Sequence, residues 1–81
     1  MKEQNFTLIL ITDPNEDDAD RLYGIVKDGT LSTIAGIPQI SFHRQAPSLE
    51  AAIRSAMQDV HSAGLVVLRV EIEPEAVSQQ I

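Results

Sequence analysis

The polar residues that could do chemistry lie in three places: an acidic run, a pair of histidines and a histidine–arginine junction. The acidic run, DPNEDDAD at residues 13–20, opens with the Asp-x-Asn-x-Asp spacing of a calcium-binding loop. Asp18 stands where such a loop needs its turn glycine, and Gly24 stands where it needs its final glutamate. Acids are favoured in the first turn of a helix, so the run predicts a helix N-terminus and not a metal site.

The two histidines do not form a pattern that binds a metal ion. His43 and His61 are 18 positions apart, and neither has a second ligand three or four residues away. The chain also lacks cysteine, a G-x-S-x-G nucleophile motif and a glycine-rich phosphate loop. We therefore expect no metal, no cofactor and no catalytic residues, which disfavours an enzyme, although a minimal enzyme stays an alternative.

The junction His43-Arg44-Gln45 is the best candidate for a working site. Arg44 follows a strand-like run and precedes Ser48, the predicted start of a helix. Free N–H groups at a helix start and a guanidinium can together bind an anion. The other interpretation, which the sequence favours, is that Arg44 pairs with a carboxylate, for example from the acidic first helix.

The composition predicts one small acidic domain. The chain has 81 residues, 43% of them hydrophobic, with a formal charge of −6 and no cysteine. Its six basic residues are scattered, so we expect no direct binding to nucleic acid. The apolar run near the N-terminus is too short for a membrane span and has no leader pattern, which makes the cytoplasm the expected location.

Hydrophobic periodicity predicts six elements in the order β-α-β-β-α-β. They are a strand over residues 6–12, a helix over 14–26, strands over 31–37 and 39–44, a helix over 49–63 and a strand over 65–72. Asp13 is the expected N-cap of the first helix, and Gly64 the expected end of the second. Gly36 and Pro38 mark the bend between the two middle strands.

This element order predicts an α+β fold, the ferredoxin-like sandwich. Its four-stranded antiparallel sheet has the order 4-1-3-2, and both helices cover one face. The first strand is then central, which suits its apolar residues on both faces. We expect one domain over residues 1–73, followed by a polar tail over residues 74–81.

Alternation along the strands predicts what the uncovered face of the sheet carries. Ile9 and Ile11 of the first strand and Val67 of the last would form an apolar stripe there, while Val66 and Leu68 would face the helices. Such a stripe predicts a homodimer that packs sheet against sheet, with His43 and Arg69 on the rim. If the chain is monomeric, the stripe is a docking surface for another protein or segment.

The run SFHRQAPSLEAAIRSAMQDVHSAGLVVLRVEIEP, residues 41–74, resembles a bacterial family of small uncharacterised domains. Members carry a pattern close to F-x-R-x-A-x-S-L-x-x-A-I-x-S-A-x-x-D-V-x-x-A-G, followed by R-V-E. Arg44, Ser55 and Asp59 are the matches that helix patterning alone does not explain. Such domains often precede a helix-turn-helix segment, so the resemblance implies the dimerising or sensing part of a transcription regulator.

Four functions are consistent with these observations. The leading hypothesis is a non-enzymatic interaction, dimerisation or regulatory domain. The second is a small-ligand sensor similar to the amino-acid-binding regulatory domains that share this element order. An antitoxin-like partner of a basic protein and a minimal enzyme are the others. His43, Arg44 and Arg69 are the predicted contact residues for a ligand or partner.

Overall fold

The computed structural model describes residues 2–72. They form a four-stranded antiparallel sheet with the order β2-β3-β1-β4 and two helices, as predicted. The elements are β1 (Lys2–Leu10), α1 (Glu16–Ile25), β2 (Gly29–Ile34), β3 (Ile37–Ala46), α2 (Leu49–Ser62) and β4 (Val67–Glu71). The predicted tail, residues 74–81, lies outside the described residues.

Both helices pack on one face of the sheet. In β1 and β3 every second residue enters the core, and the two strands match, because Phe6 lies opposite Phe42 and Leu8 opposite Ile40. The rings of Phe6 and Phe42 are stacked with their centroids 5.3 Å apart. Leu22 and Val26 at the end of α1, and Ala52, Ala56 and Val60 of α2, complete the same core.

Helix α1 begins two residues later than predicted. Its N-cap is Asn15, whose side chain accepts a hydrogen bond from the backbone N–H of Asp18 at 2.8 Å. The Asp18 carboxylate accepts from the N–H of Asn15 in return, which completes a capping box. The prediction of Asp13 as N-cap is therefore wrong, and the Asp13 carboxylate instead accepts a hydrogen bond from Thr33.

Helix α2 begins and ends as predicted. The Ser48 hydroxyl accepts from the N–H of Ala51 at 3.1 Å, and Gly64 has a φ of +87°. The N–H groups of Gly64 and Leu65 donate to the carbonyls of His61 and Val60, which is the Schellman pattern that ends many helices. Arg21 of α1 donates to the carbonyl of Ala63 at 2.9 Å and so joins the two helices.

The turn between β2 and β3 lies earlier in the chain than predicted. Its two central residues, Ala35 and Gly36, both have positive φ, as a two-residue hairpin turn of type I′ requires. The strands are therefore paired from Ile34 and Ile37 onward. Pro38 is a buried residue of β3 and not part of the bend.

A register shift in β4 moves its side chains to faces that alternation did not predict. Leu10 lies opposite Val67, whereas Ile9 lies opposite Arg69, so Leu68 has no partner on β1. Val67 consequently packs against the core, while Val66 and Leu68 are exposed. The predicted face of Val67 is wrong, because an extra residue in one strand breaks the alternation, and the helices do not cover Val66 and Leu68 as expected.

Candidate functional site

Arg44 lies at the centre of the most extensive polar cluster among residues 2–72. It has the same parity in β3 as Phe42 and Ala46, so its side chain points toward the helices and is 13% exposed. Its guanidinium carbon lies 5.1 Å from the centroid of the Phe42 ring. The guanidinium thereby extends the Phe6–Phe42 stack. A cation that lies over the face of an aromatic ring is attracted to it.

Asp28 holds one side of the Arg44 guanidinium. Arg44 Nε donates to Asp28 Oδ2 at 2.8 Å, and Nη2 donates to Oδ1 at 2.9 Å. This is the two-bond geometry in which arginine binds a carboxylate most strongly. The backbone carbonyl of Asp28 also accepts from the N–H of His43 at 3.0 Å, so both ends of the aspartate are fixed to β3.

Helix α2 holds the other side of the guanidinium. Ser55 and Asp59 are four residues apart and therefore lie on one face of the helix. Arg44 donates to Ser55 Oγ at 3.0 Å and to Asp59 Oδ2 at 2.9 Å. The Ser55 hydroxyl donates in turn to the carbonyl of Ala52 at 3.1 Å. The Arg44 cluster, which consists of Arg44, Asp28, Ser55 and Asp59, thus links β3, α2 and the segment before β2.

The contacts shift the pKa values of Asp28 and Arg44 in the directions that favour the charged form of each residue. The hydrogen bond from Arg44 lowers the pKa of Asp28 below its usual value, although partial burial opposes this shift. The hydrogen bond to Asp28 raises the pKa of Arg44, and the bond to Asp59 adds to that effect. The contact between Arg44 and Asp28 is therefore an ion pair in which each partner favours the charged form of the other.

Arg44 is thus paired with carboxylates, the arrangement that the sequence favoured, but their source differs from the example suggested. Neither acid comes from the acidic run, since Asp28 follows α1 and Asp59 belongs to α2. Asp28 is not among the site residues predicted from the sequence. A contact of Arg44 with a ligand or partner stays a prediction.

The three predicted contact residues do not form one site. His43 lies on the open face of the sheet, opposite its cross-strand neighbour Asn5, and His43 Nδ1 is 2.7 Å from Asn5 Oδ1. Arg69 lies on the same face but opposite Ile9, four residues along β1, which places it about 13 Å further along the sheet. Arg69 donates to Glu71 at 3.2 Å.

The predicted apolar stripe on the open face is also not assembled as expected. Ile9 has only 2% of its surface exposed, whereas Ile11 is 55% exposed and Val67 packs against the core on the other side. A sheet-against-sheet homodimer stays untested. Its expected contact surface, however, is reduced to Ile11 alone among the three residues.

An apolar groove of about 470 Å³ runs alongside α2. Leu49, Ile53 and Met57 line it at intervals of four residues along the helix, and Ile72 lines it as well. Glu50 and Arg54 also line the groove and pair with each other at 2.6 Å. The groove is therefore a surface for apolar groups, with its charged side chains already engaged.

Comparison of the chain with protein-family models, curated proteins and solved structures gives no match. Over residues 2–72, no three His, Cys, Asp or Glu side chains are grouped so that they could hold a metal ion. In the same part of the chain, no helix is long and apolar enough to cross a membrane.

Proposed function

We propose that this chain is a non-enzymatic interaction domain that forms homodimers and serves as the regulatory part of a larger system. The observation that carries this proposal is the number of large hydrophobic side chains left at the surface of so small a fold. Those at least 39% exposed are Ile11, Tyr23, Ile25, Ile34, Ile37, Val66, Leu68 and Ile72.

Five of these side chains gather at the end of the sheet that carries the β2–β3 turn. Ile34 and Ile37 pair across that turn, and the backbone N–H of Ile11 donates to Val66 at 3.1 Å. Leu68 adjoins them at the register shift in β4. Exposed apolar groups that cluster in this way mark surfaces that another protein covers. By contrast, the hydrogen bonds of the Arg44 side chain are made within the fold, where they link β3 to α2 and to the segment before β2.

The regulatory part of the proposal is supported by the fold and by the sequence resemblance. The element order and the sheet order are those of the ferredoxin-like sandwich, so we assign the chain to that fold. Arg44, Ser55 and Asp59, which carry the resemblance, meet in one cluster. In this proposal the domain is the cytoplasmic accessory part of a transcription regulator, and contact with DNA belongs to another segment.

Sedimentation velocity over a range of concentrations tests the proposal. We expect the chain, which has a mass of 8.9 kDa, to shift reversibly toward twice that mass between low and high micromolar concentration. A chain that stays monomeric throughout that range would contradict the dimer. Arg44 provides a separate check. If the chain catalysed the steady turnover of a substrate and Arg44→Ala abolished that activity, the chain would be an enzyme instead.

The groove along α2 favours a second candidate, a sensor for a small apolar ligand. Its volume falls within the range of small-molecule sites, and its wall is aliphatic. A thermal-shift screen with leucine, methionine, nucleotides and short fatty acids tests this function. A ligand present at 100 times its dissociation constant adds about 2.7 kcal/mol to the free energy of unfolding. Ile53→Trp, which fills the groove, should remove the shift, and no shift across the screen contradicts a sensor.

A further inference from the structure

Strand β4 is an edge strand of the sheet that residues 2–72 form. The sheet order places β1 on its inner side, and no strand within residues 2–72 pairs with its outer side. Unpaired strand edges are templates for another strand, and proteins usually blunt them with charge, proline or a cover. Here the edge is flanked by Leu68, which is 57% exposed, and by the exposed side chain of Ile72.

We infer that β4 pairs with β4 of a second copy of this chain, antiparallel and with Val70 opposite itself. The two sheets then form one continuous sheet of eight strands around a twofold axis. This inference rests on the homodimer proposed above and specifies its interface. In this dimer the two sheets meet edge to edge, and not face to face as the apolar stripe predicted.

The sequence of β4 is complementary to itself in this register. With Val70 at the axis, Arg69 lies opposite Glu71 of the second copy, and this pair occurs twice. Both side chains lie on the open face, since Arg69 is opposite Ile9 and Glu71 is opposite Thr7 across β1. Leu68 lies opposite Ile72 of the second copy, so apolar residues meet as well. Opposite charges and apolar pairs across strands both stabilise a sheet.

The neighbouring registers are unfavourable. A shift of one residue sets Leu68 opposite Glu71 and Arg69 opposite Val70, and it exchanges the two faces of the added strand. A shift of two residues sets Arg69 opposite itself in one direction and Glu71 opposite itself in the other. Like charges directly opposite each other are destabilising, so the sequence selects the register centred on Val70.

The other free edge does not offer such complementarity. Strand β2, with the sequence GTLSTI, contains no charged residue, so no register of β2 against itself forms an ion pair. Its exposed backbone could still pair, but without the charges that fix one register. The charge pattern therefore assigns the dimer contact to β4.

Complementary charge reversal tests this interface. We expect R69E alone and E71R alone each to dimerise about tenfold more weakly, because each places like charges opposite each other twice. An equimolar mixture of the two variants should regain the wild-type dimer, since every pair across the axis is then of opposite sign. The contact between Arg69 and Glu71 within one chain is lost in both variants, so it cannot explain the recovery. R54E and E50R, which break the exposed pair on α2, are the matched controls and should leave dimerisation unchanged.

Cysteine cross-linking provides a second measurement, because the chain has no cysteine of its own. In V70C, the two Cα atoms across the axis would be about 4.5–5.5 Å apart, within the range that a disulfide spans. T30C on the β2 edge and S41C on the open face are controls that should cross-link slowly. Faster cross-linking of either control than of V70C would overturn the inference.

The outcomes separate this inference from the proposed function. A wild-type chain that dimerises, with charge variants that dimerise equally well, leaves the homodimer intact and overturns only the β4 interface. A wild-type chain that stays monomeric at every concentration overturns both. Recovery of dimers in the mixture, together with cross-linked V70C, supports both.

Discussion

Arg44 and Asp28 meet through two parallel hydrogen bonds, from Nε to Oδ2 at 2.8 Å and from Nη2 to Oδ1 at 2.9 Å. The pair joins the C-terminal part of β3 to the residue that precedes β2. The same guanidinium also binds Ser55 and Asp59 of α2. One side chain therefore links the sheet to a helix and to the start of a strand, and its removal affects all three.

Arg44→Ala should lower the free energy of unfolding by about 2 kcal/mol, because it leaves two carboxylates without their cation. The loss stays below that of a fully buried ion pair because Asp28 and Asp59 are 32% and 36% exposed, so water partly replaces the arginine. Arg44→Lys should recover only part of the loss, since an ammonium group cannot make the two-bond contact. Urea unfolding at neutral pH measures both values.

Arg54→Ala is the matched control for that prediction. Arg54 pairs with Glu50 at 2.6 Å, but both side chains are mostly exposed, and such pairs contribute at most about 0.5 kcal/mol. Equal losses for Arg44→Ala and Arg54→Ala would show that the Arg44 cluster does not hold the fold together.

The stability of the chain should fall in acid because of Asp28. Its pKa is lowered in the folded state, chiefly by the hydrogen bond from Arg44. Above the ordinary aspartate pKa of about 3.9, the carboxylate is charged in both states and the ion pair stabilises the fold in full. Below that value the unfolded chain takes up its proton before the folded chain does. The stabilisation therefore declines as the pH falls toward the lowered pKa of the folded state, and it is lost below that pKa.

Urea unfolding at a series of pH values from 7 downward measures this effect. Asp28→Asn removes the titrating group, so the variant should be less stable than wild type at pH 7. The difference between the two should shrink as the pH falls below the ordinary aspartate value. A difference that stays constant over the whole series would rule out Asp28 as a source of the acid sensitivity.

The element order and the sheet order could be predicted because both follow from periodicity along the chain. The spacing of the apolar residues in α2 and the presence of apolar residues on both faces of β1 are local properties of the sequence. The face of Val67 could not be predicted in this way. It depends on the register shift between β4 and β1, which arises where two distant segments pair.

The Arg44 cluster could be predicted only in part from the sequence. Arg44, Ser55 and Asp59 stand out in the sequence, and the spacing of the last two on a helix is visible there. Asp28, however, is 16 residues from Arg44 and reaches it only because β2 folds back along β3. The local feature of Asp28 is that Gly29 follows it, and an Asp-Gly pair indicates a turn.

Asn15→Ala should destabilise the chain by about 1 kcal/mol, because it removes the side chain that caps α1. Asp13→Ala is the control, since Asp13 lies before the helix and only accepts a hydrogen bond from Thr33. Its removal should change stability by less than about 0.5 kcal/mol. Thermal unfolding of both variants measures the difference. A larger effect at Asp13 would mean that the helix begins where the sequence alone suggested.

Gly29→Ala should destabilise the chain by about 1–3 kcal/mol, because the added methyl group enters a filled part of the core. A Cβ atom at this position would lie 3.0 Å from Ile40 and Val26 and 3.1 Å from Phe42. Gly24→Ala is the matched control, since nothing lies within 4 Å of a Cβ there and the residue is inside α1. That variant should gain about 0.5–1 kcal/mol from the higher helix propensity of alanine. The two substitutions add the same methyl group, so opposite signs in urea unfolding would show that packing against β3, and not backbone freedom, requires glycine at position 29. A gain at both positions would mean that the start of β2 can move away from the core.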